Sequence, residues 1–355
     1  MESALDPAPV VAPPDAVKVV QSLGADEWDA FVNVSPRPLF HRAAWGEVWR
    51  AYGLRSFQLA ARRNQQVVGI LPLVYQSSPM TGRQLVSLPW FDAAGLMAED
   101  DVAAAALVEA AVELSKQLKA GLVQIRQVSA RPLSEHVRTD KVLMELPLPS
   151  DPETLWKGLN PKVRNQVRKA EKALLAVSSG GRELLGEFFE VYSRNMRDLG
   201  SPSHSEKLFR AVATAFPDEV RVWVVRLEGR VIGGGLTIAN GNSLEIPWAS
   251  SLREHNSLCV NHLMYWRILE QACRDGYRSF RFGRSTINSG TYHFKKQWGA
   301  EEVPLSWYFV SASPKLAAAA AIPPQESFGW ASRVWQKLPL AVARRLGPRL
   351  IAGIP

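Results

Sequence analysis

Hydrophobic spacing along the chain changes between helical and strand periods in a repeating order. Asp26 to Val34 predicts a short helix, and His41 to Tyr52 sets Trp45, Val48 and Trp49 at helical spacing. Ser56 to Ala61 and Gln66 to Val74 read as strands flanking the turn Arg62-Arg63-Asn64. Gln84 to Leu88 predicts a further strand. Pro89 to Gly95 is a loop carrying Trp90, Phe91 and Asp92. An Ala-rich helix over Val102 to Lys119 and strands over Gly121 to Gln127 and Val142 to Leu146 complete the cycle.

A second cycle follows. Asp151 to Leu159 starts a helix, and Asn160 caps a basic helix over Pro161 to Leu174, with Pro161 at its first position. Amphipathic helices are predicted over Glu183 to Leu199 and Ser205 to Ala215. A hairpin, Val220 to Leu227 and Val231 to Ala239, turns at Glu228-Gly229. Then come a strand (Ser243 to Ser250), a helix (Asn261 to Asp275, ended by Gly276) and strands over Ser279 to Phe282 and Leu305 to Val310. Both hairpins place an aliphatic-Gly pair on the returning strand, Val68-Gly69 and Ile232-Gly233. The shared order argues for duplication of one α/β unit. The break at Leu148-Pro149-Ser150-Asp151-Pro152 is the expected boundary. The expected division is a disordered Pro/Ala-rich leader (1–16), two domains (17–150 and 151–312) and a linker with a basic amphipathic tail (313–355).

Composition narrows the function. The chain has 355 residues, 46% of them hydrophobic, with twelve Trp, enough for a sizeable core. A net charge of +8 favours an anionic partner. Two cysteines, Cys259 and Cys273, cannot make a disulfide framework and fit a reducing compartment. The N-terminal stretch lacks the basic start and apolar run of a signal peptide, and no uncharged apolar run approaches the roughly 18 residues of a membrane span. A cytoplasmic protein is expected, with peripheral contact at the inner membrane as an option for its tail. There is no GxSxG elbow, no P-loop and no CxxC or HxxxH spacing, so no metal site is expected.

Two segments concentrate candidate chemistry. Phe280 to Gly299 holds Arg281, Arg284, Lys295 and Lys296 and no acid, among Phe280, Phe282, Tyr292, Phe294 and Trp298. Cations and aromatics around Gly283 and Gly290 suit an anionic ligand held against backbone at a strand end. Lys295 is placed to meet a carboxylate, a phosphate or a developing oxyanion. In the basic helix, Arg164, Arg168 and Lys172 repeat at i, i+4 beside a single acid, Glu171. An anion would relieve their repulsion; a solvated basic face is the alternative. Gly233-Gly234-Gly235 sits within a strand and points to a bulge or a close approach. His255, His262 and Cys259 read as structural residues.

These motifs resemble the FemAB-like branch of the GNAT acyltransferases, most closely the FemAB-related proteins associated with PEP-CTERM/exosortase exopolysaccharide systems. The resemblance spans roughly Leu39 to Val310 and rests on FHRAAWGEVW, VVGILPLV, LVSLPWFDAAG, NPKVRNQVRKAEK, NMRDLGSP, HLMYWRILEQACRDG, FRFGRS and GTYHFKKQWG. It implies an α/β (α+β) fold of two tandem GNAT-like domains with mixed sheets. It implies transfer of an aminoacyl or acyl group to an amine of an envelope or exopolysaccharide precursor. By that likeness Phe294 and Lys295 lie at the acyl-donor end and form the catalytic pair. Arg164 or Arg168 meets the acceptor's phosphates, and Arg50 is the loosely aligned first-domain cation. Arg284, Ser285 and Tyr292 complete the expected substrate contacts. No tightly bound cofactor is implied. The donor is aminoacyl-tRNA, with tRNA then a partner, or acyl-CoA. The stretch Ser250 to Asn261 has no glycine, which departs from the acetyl-CoA signature, and Arg281 stands where relatives often carry an acid.

After Pro323-Pro324, the residues Trp330, Val334, Trp335 and Leu338 can share a helical face. Arg344, Arg345 and Arg349 follow, and no acid comes after Glu326. Such a tail, residues 325–355, either lies on an anionic membrane or packs on the second domain. A non-catalytic membrane scaffold is the reading that does without chemistry.

Overall fold

A computed structural model describes residues 16–33, 38–79, 81–92, 94–128, 130–323 and 329–354. The expected disordered leader therefore lies almost wholly outside the described residues. The first half contains β1 (Lys18–Val20), α1 (Ala25–Val32), α2 (Trp45–Tyr52), β2 (Arg55–Arg63), β3 (Gln66–Ser78) and β4 (Gly82–Val86). It continues through β5 (Met97–Ala98), α3 (Asp101–Gln117), β6 (Leu122–Gln127), β7 (Val137–Arg138) and β8 (Lys141–Pro147). The second half opens with α4 (Pro152–Gly158), α5 (Pro161–Lys172), β9 (Ala176–Gly180), α6 (Leu185–Asp198), α7 (Glu206–Ala215), β10 (Val220–Leu227) and β11 (Arg230–Asn240). Then come β12 (Ser243–Ser251), α8 (Val260–Arg274), β13 (Ser279–Thr286), α9 (Gly290–Lys296), β14 (Glu301–Pro304) and β15 (Ser306–Val310). The tail forms α10 (Pro314–Ala321), α11 (Gly329–Gln336) and α12 (Leu340–Ile351).

The two mixed sheets have matching plans. The first runs β1-β2-β3-β4-β6-β15-β7, with β5 on β3, and the second β14-β8-β13-β12-β11-β10-β9. In each, a hairpin leads to a strand that pairs in parallel with its successor across a helix: β4 with β6 across α3, and β12 with β13 across α8. The paired glycines also match. A side chain on Gly69 would meet Leu107 of α3 at 3.0 Å, and one on Gly233 would meet Val260 of α8 at 2.5 Å. Gly234 faces Phe188 of α6, on the other side of the sheet. The glycine run thus lets helices close onto both faces of β11.

The halves also exchange a strand. β8, from the first half, lies between β13 and β14 in the second sheet. β15, from the second half, lies between β6 and β7 in the first. A boundary at residue 150 therefore divides the sequence but not the sheets. Hydrophobic period could not reveal this, because a buried strand reads alike in either sheet. Other expectations shift locally. The first hairpin turns at Asn64-Gln65, both at positive φ, rather than over Arg62-Arg63-Asn64. The strand from Ser279 continues to Thr286, and α9, for which no helix was expected, follows with Ser289 Oγ as its cap.

One core cluster joins the lobes. Phe40, Trp45, Trp49 and Phe91 pack with Phe188, Phe209, Phe216 and Trp248. The Trp45 and Phe216 rings are 5.0 Å apart, and those of Phe91 and Trp248 5.4 Å. Burying each such ring is worth about 1.5–3 kcal/mol, so the lobes hold one another rigidly. Among the described residues no helix is long and apolar enough to cross a membrane.

Candidate active site

A cavity of about 470 Å³ opens between the lobes where β12 and β13 separate. Their parallel pairing covers only Ser243–Glu245 against Ser279–Arg281. Beyond that point both strands bulge on their outer sides. On β12, Ile246 and Pro247 stand opposite Thr237 alone, and a bulge is where a strand tolerates proline. On β13, Phe282 and Gly283 stand opposite Met144 alone, with Gly283 at φ 78. The sheet is pried apart there, and strand-end backbone faces the cavity.

The wall on this side is polar. Glu245 accepts from Asn240 Nδ2 at 2.9 Å and from Arg281 at 2.9 Å, and Arg281 also donates to Glu145 of β8 at 3.0 Å. Arg281 is therefore held between two carboxylates from neighbouring strands. Burial pushes the Glu245 carboxyl above the ordinary range, against the pull of Arg281. Lys295 reaches over from α9, with only 8% of its surface exposed. Its Nζ donates to Gly283 O and Arg284 O, each at 2.8 Å, clamping the bulge and leaving one N–H free. Burial brings its ammonium down to about 8.

The first lobe contributes Trp90, Phe91 and Asp92. Asp92 accepts from the Arg284 backbone N–H at 2.7 Å and from its guanidinium at 2.8 Å. Its own carbonyl accepts from Trp307 Nε1 of the exchanged strand β15 at 3.2 Å. Trp307 lies under three guanidinium groups, Arg126 at 4.4 Å, Arg284 at 5.3 Å and Arg138 at 5.8 Å. Arg126 is fully buried and donates to Phe91 O at 2.9 Å. Both exchanged strands thus brace cavity residues: β15 holds the Asp92 loop and β8 holds Arg281.

The remaining wall is largely aromatic: Trp90, Tyr192, His204 and Trp248. His204 stacks edge-on against Trp90 at 4.5 Å, and burial drives its imidazole down to about 3. It is a neutral ring near pH 7. The chain's C-terminal end completes the wall with Ile351 and Ile354. Backbone carbonyls there accept from Gln76 (Ala352 O, 2.8 Å), Thr81 (Gly353 O, 2.7 Å) and Trp90 (Ile354 O, 2.8 Å).

Of the residues expected from sequence, Lys295 and Arg284 line this cavity. Phe294 points the other way, its ring 5.2 Å from His262 and 5.6 Å from Tyr265. Ser285 is buried with no partner for its hydroxyl among the described residues, and the Tyr292 hydroxyl donates to Glu302 outside the cavity lining. Arg50 is an exposed partner of Glu47 on α2. Arg168 lines a separate surface groove with its guanidinium 5.6 Å from the Trp156 ring, and Arg164 lies on the same helix, outside the cavity lining. The five cations Lys162, Arg164, Arg168, Lys169 and Lys172 make no ion pair among the described residues; Glu171 turns instead to Arg267. Sequence reasoning missed Glu245 and gave Asp92 no role. The signals were a lone carboxylate within the apolar run SLEIPWASS and an acid in the WFDAAG loop.

Residues 161–296 match the family model described as an acetyltransferase (GNAT) domain, so acyl transfer is the reaction class this lobe supports. Among solved structures the chain is similar to FemX, at 17% identity and a TM-score of 0.61, over 82% of this chain and 97% of that one. It is also similar to a tandem GNAT protein from the clavulanic acid biosynthesis pathway, at 13% identity and a TM-score of 0.54, over 84% and 99%. A third likeness is the C-terminal domain of a protein of Agrobacterium fabrum described as a lysylphosphatidylglycerol synthetase, at 12% identity and a TM-score of 0.51, over 71% and 83%. The fold is a tandem GNAT-like pair. The search of curated proteins found no match.

Proposed function

We propose that this chain is a FemAB-like N-acyltransferase that moves an aminoacyl or acyl group onto an amine of a sugar- or lipid-linked precursor of the envelope or of an exopolysaccharide. The observation that carries the reading is the convergence on one cavity of Lys295 and Glu245 from the GNAT-matching lobe with Asp92 from the other. FemX and a protein described as a lysylphosphatidylglycerol synthetase are relatives in fold whose names point to the envelope. The PEP-CTERM exopolysaccharide setting rests on the sequence resemblance.

In this reading the amine nitrogen attacks the acyl carbonyl carbon, and a C–N bond forms as the C–O or C–S bond to the donor breaks. Glu245, whose affinity for protons is raised by burial, takes the proton from the attacking nitrogen. The free N–H of Lys295 faces the developing oxyanion. The proton taken up by Glu245 then passes to the leaving oxygen or sulfur, which closes the proton balance of the step. Asp92 holds the Arg284 backbone and guanidinium in place, and the aromatic wall excludes water.

Donor choice turns on the start of α8. Arg253–Leu258 coil into a 3-10 turn and Cys259 caps the helix at φ 59, with Glu254 paired to Arg194 at 2.9 Å. An acid and bulky side chains stand there in place of a glycine cradle, which favours aminoacyl-tRNA over acyl-CoA. Purified protein given charged tRNA or acyl-CoA with amino-sugar nucleotides and lipid-linked amines, read by mass spectrometry, tests both. Transfer that is lost in Glu245→Gln supports the reading. Identical products with and without the protein for both donors would sink it.

A further inference from the structure

The tail's outer face is separate from the candidate site and independent of the proposed chemistry. α12 is seated on the second lobe. Arg344 donates to Ser193 Oγ at 2.9 Å and to Glu190 at 2.6 Å, and a side chain on Gly347 would meet Ser203 backbone at 2.9 Å. Ala343 and Gly347 are buried on that inner face. A strip beside that inner face carries Val342, Leu346 and Leu350 at i, i+4, i+8, all exposed, with exposed Arg345 and Arg349 further out. α11 extends the pattern with Trp330 72% exposed and Val334 55% exposed, beside Arg333 and Lys337.

Five large apolar side chains in water demand a cover. The flanking charges say which kind. Residues 329–354 contain Arg333, Lys337, Arg344, Arg345 and Arg349 and no acid. Among the described residues only Arg344 meets a carboxylate. A protein partner would match apolar area with a balanced rim. Apolar residues between exposed cations, with a Trp at the edge, match the acyl boundary and anionic headgroups of a bilayer. We propose that the outer face of residues 329–354 docks on an anionic lipid bilayer. Docking there brings the cavity beside the membrane surface, because the end of α12 forms part of its wall.

Vesicle flotation of the full chain tests this, with phosphatidylcholine vesicles compared against vesicles also containing phosphatidylglycerol. Binding should require the anionic lipid and weaken as salt rises. Arg345→Ser with Arg349→Ser should reduce it about 30-fold, five- to six-fold for each charge. Leu346→Ser with Leu350→Ser should reduce it as well, while Arg50→Ser, an exposed cation elsewhere, leaves it unchanged. Circular dichroism establishes that each variant is folded. Equal binding to both vesicle types, no binding, or binding indifferent to the tail variants overturns the proposal. So does concentration-dependent dimerisation through this face without vesicle binding.

Discussion

Replacing Lys295 by Met keeps the stem of the side chain and removes its ammonium, and two opposed effects follow. Gly283 O and Arg284 O lose their donor. Each orphaned carbonyl costs about 1–3 kcal/mol. Against this, the ammonium lies where burial lowers its pKa from 10.5 to about 8, so near pH 7 the charged form is penalised by roughly 3 kcal/mol. The effects partly cancel, and near pH 7 the variant should lie between about 1 kcal/mol more stable and about 3 kcal/mol less stable than the parent. The sign with pH is fixed. Between the folded and unfolded pKa values the unfolded chain holds more protons, so the parent gains stability as pH rises through this window and the variant does not. Urea unfolding near pH 7 and about pH 9.5 should show the parent gaining about 2 kcal/mol relative to Lys295→Met. Transfer activity should fall about 100-fold or more through loss of the oxyanion donor. A stability difference that ignores pH would refute the reasoning about burial. Full activity would refute the role.

Gly283→Ala places a side chain at φ 78 and 3.4 Å from Asp92 Oδ2; it should lose about 1–2 kcal/mol in urea unfolding and lower activity by shifting the bulge. Glu245→Gln keeps an acceptor for Arg281 but cannot take a proton, so activity should drop and the acidic limb of the pH–rate profile should disappear; an unchanged profile would remove Glu245 as the base. Asp92→Ala leaves the Arg284 backbone N–H and guanidinium unpaired at the lobe junction; a loss of about 2–4 kcal/mol, read by thermal unfolding, is expected.

Much of the fold was legible because helices and strands carry different hydrophobic periods. The two hairpins, with Gly69 and Gly233 in equivalent places, exposed the repeat before any coordinates. Partner choice among strands was not legible. β8 and β15 are short buried runs, and nothing in Val142–Leu146 or Leu305–Val310 states which sheet each completes. At the site, Lys295 stood out because charge is rare amid aromatics. Phe294 next to it could not be separated by composition; adjacent helical positions diverge, and only packing shows which one meets the cavity. Asp92 lies 192 residues from its partner Arg284, beyond the reach of any local pattern. The acid-poor face of the basic helix is visible in the sequence, but its distance from the cavity depends on where α5 sits against α8.

The strand exchange changes what counts as a separable piece of this molecule. A chain cut between Pro147 and Pro152 yields two fragments, each carrying the strand its neighbour lacks. Alone, either fragment presents an unfilled gap beside β6 or β13 and a stray strand with nothing to pair against, the recipe for aggregation. Mixed, they are mutual complements, a split protein whose halves recognise each other by backbone. The same geometry is what a strand-swapped homodimer acquires once its two copies are fused into one polypeptide. Since Trp307 and Glu145 ride on the donated strands, activity regained by such fragments would report that both donations had been made.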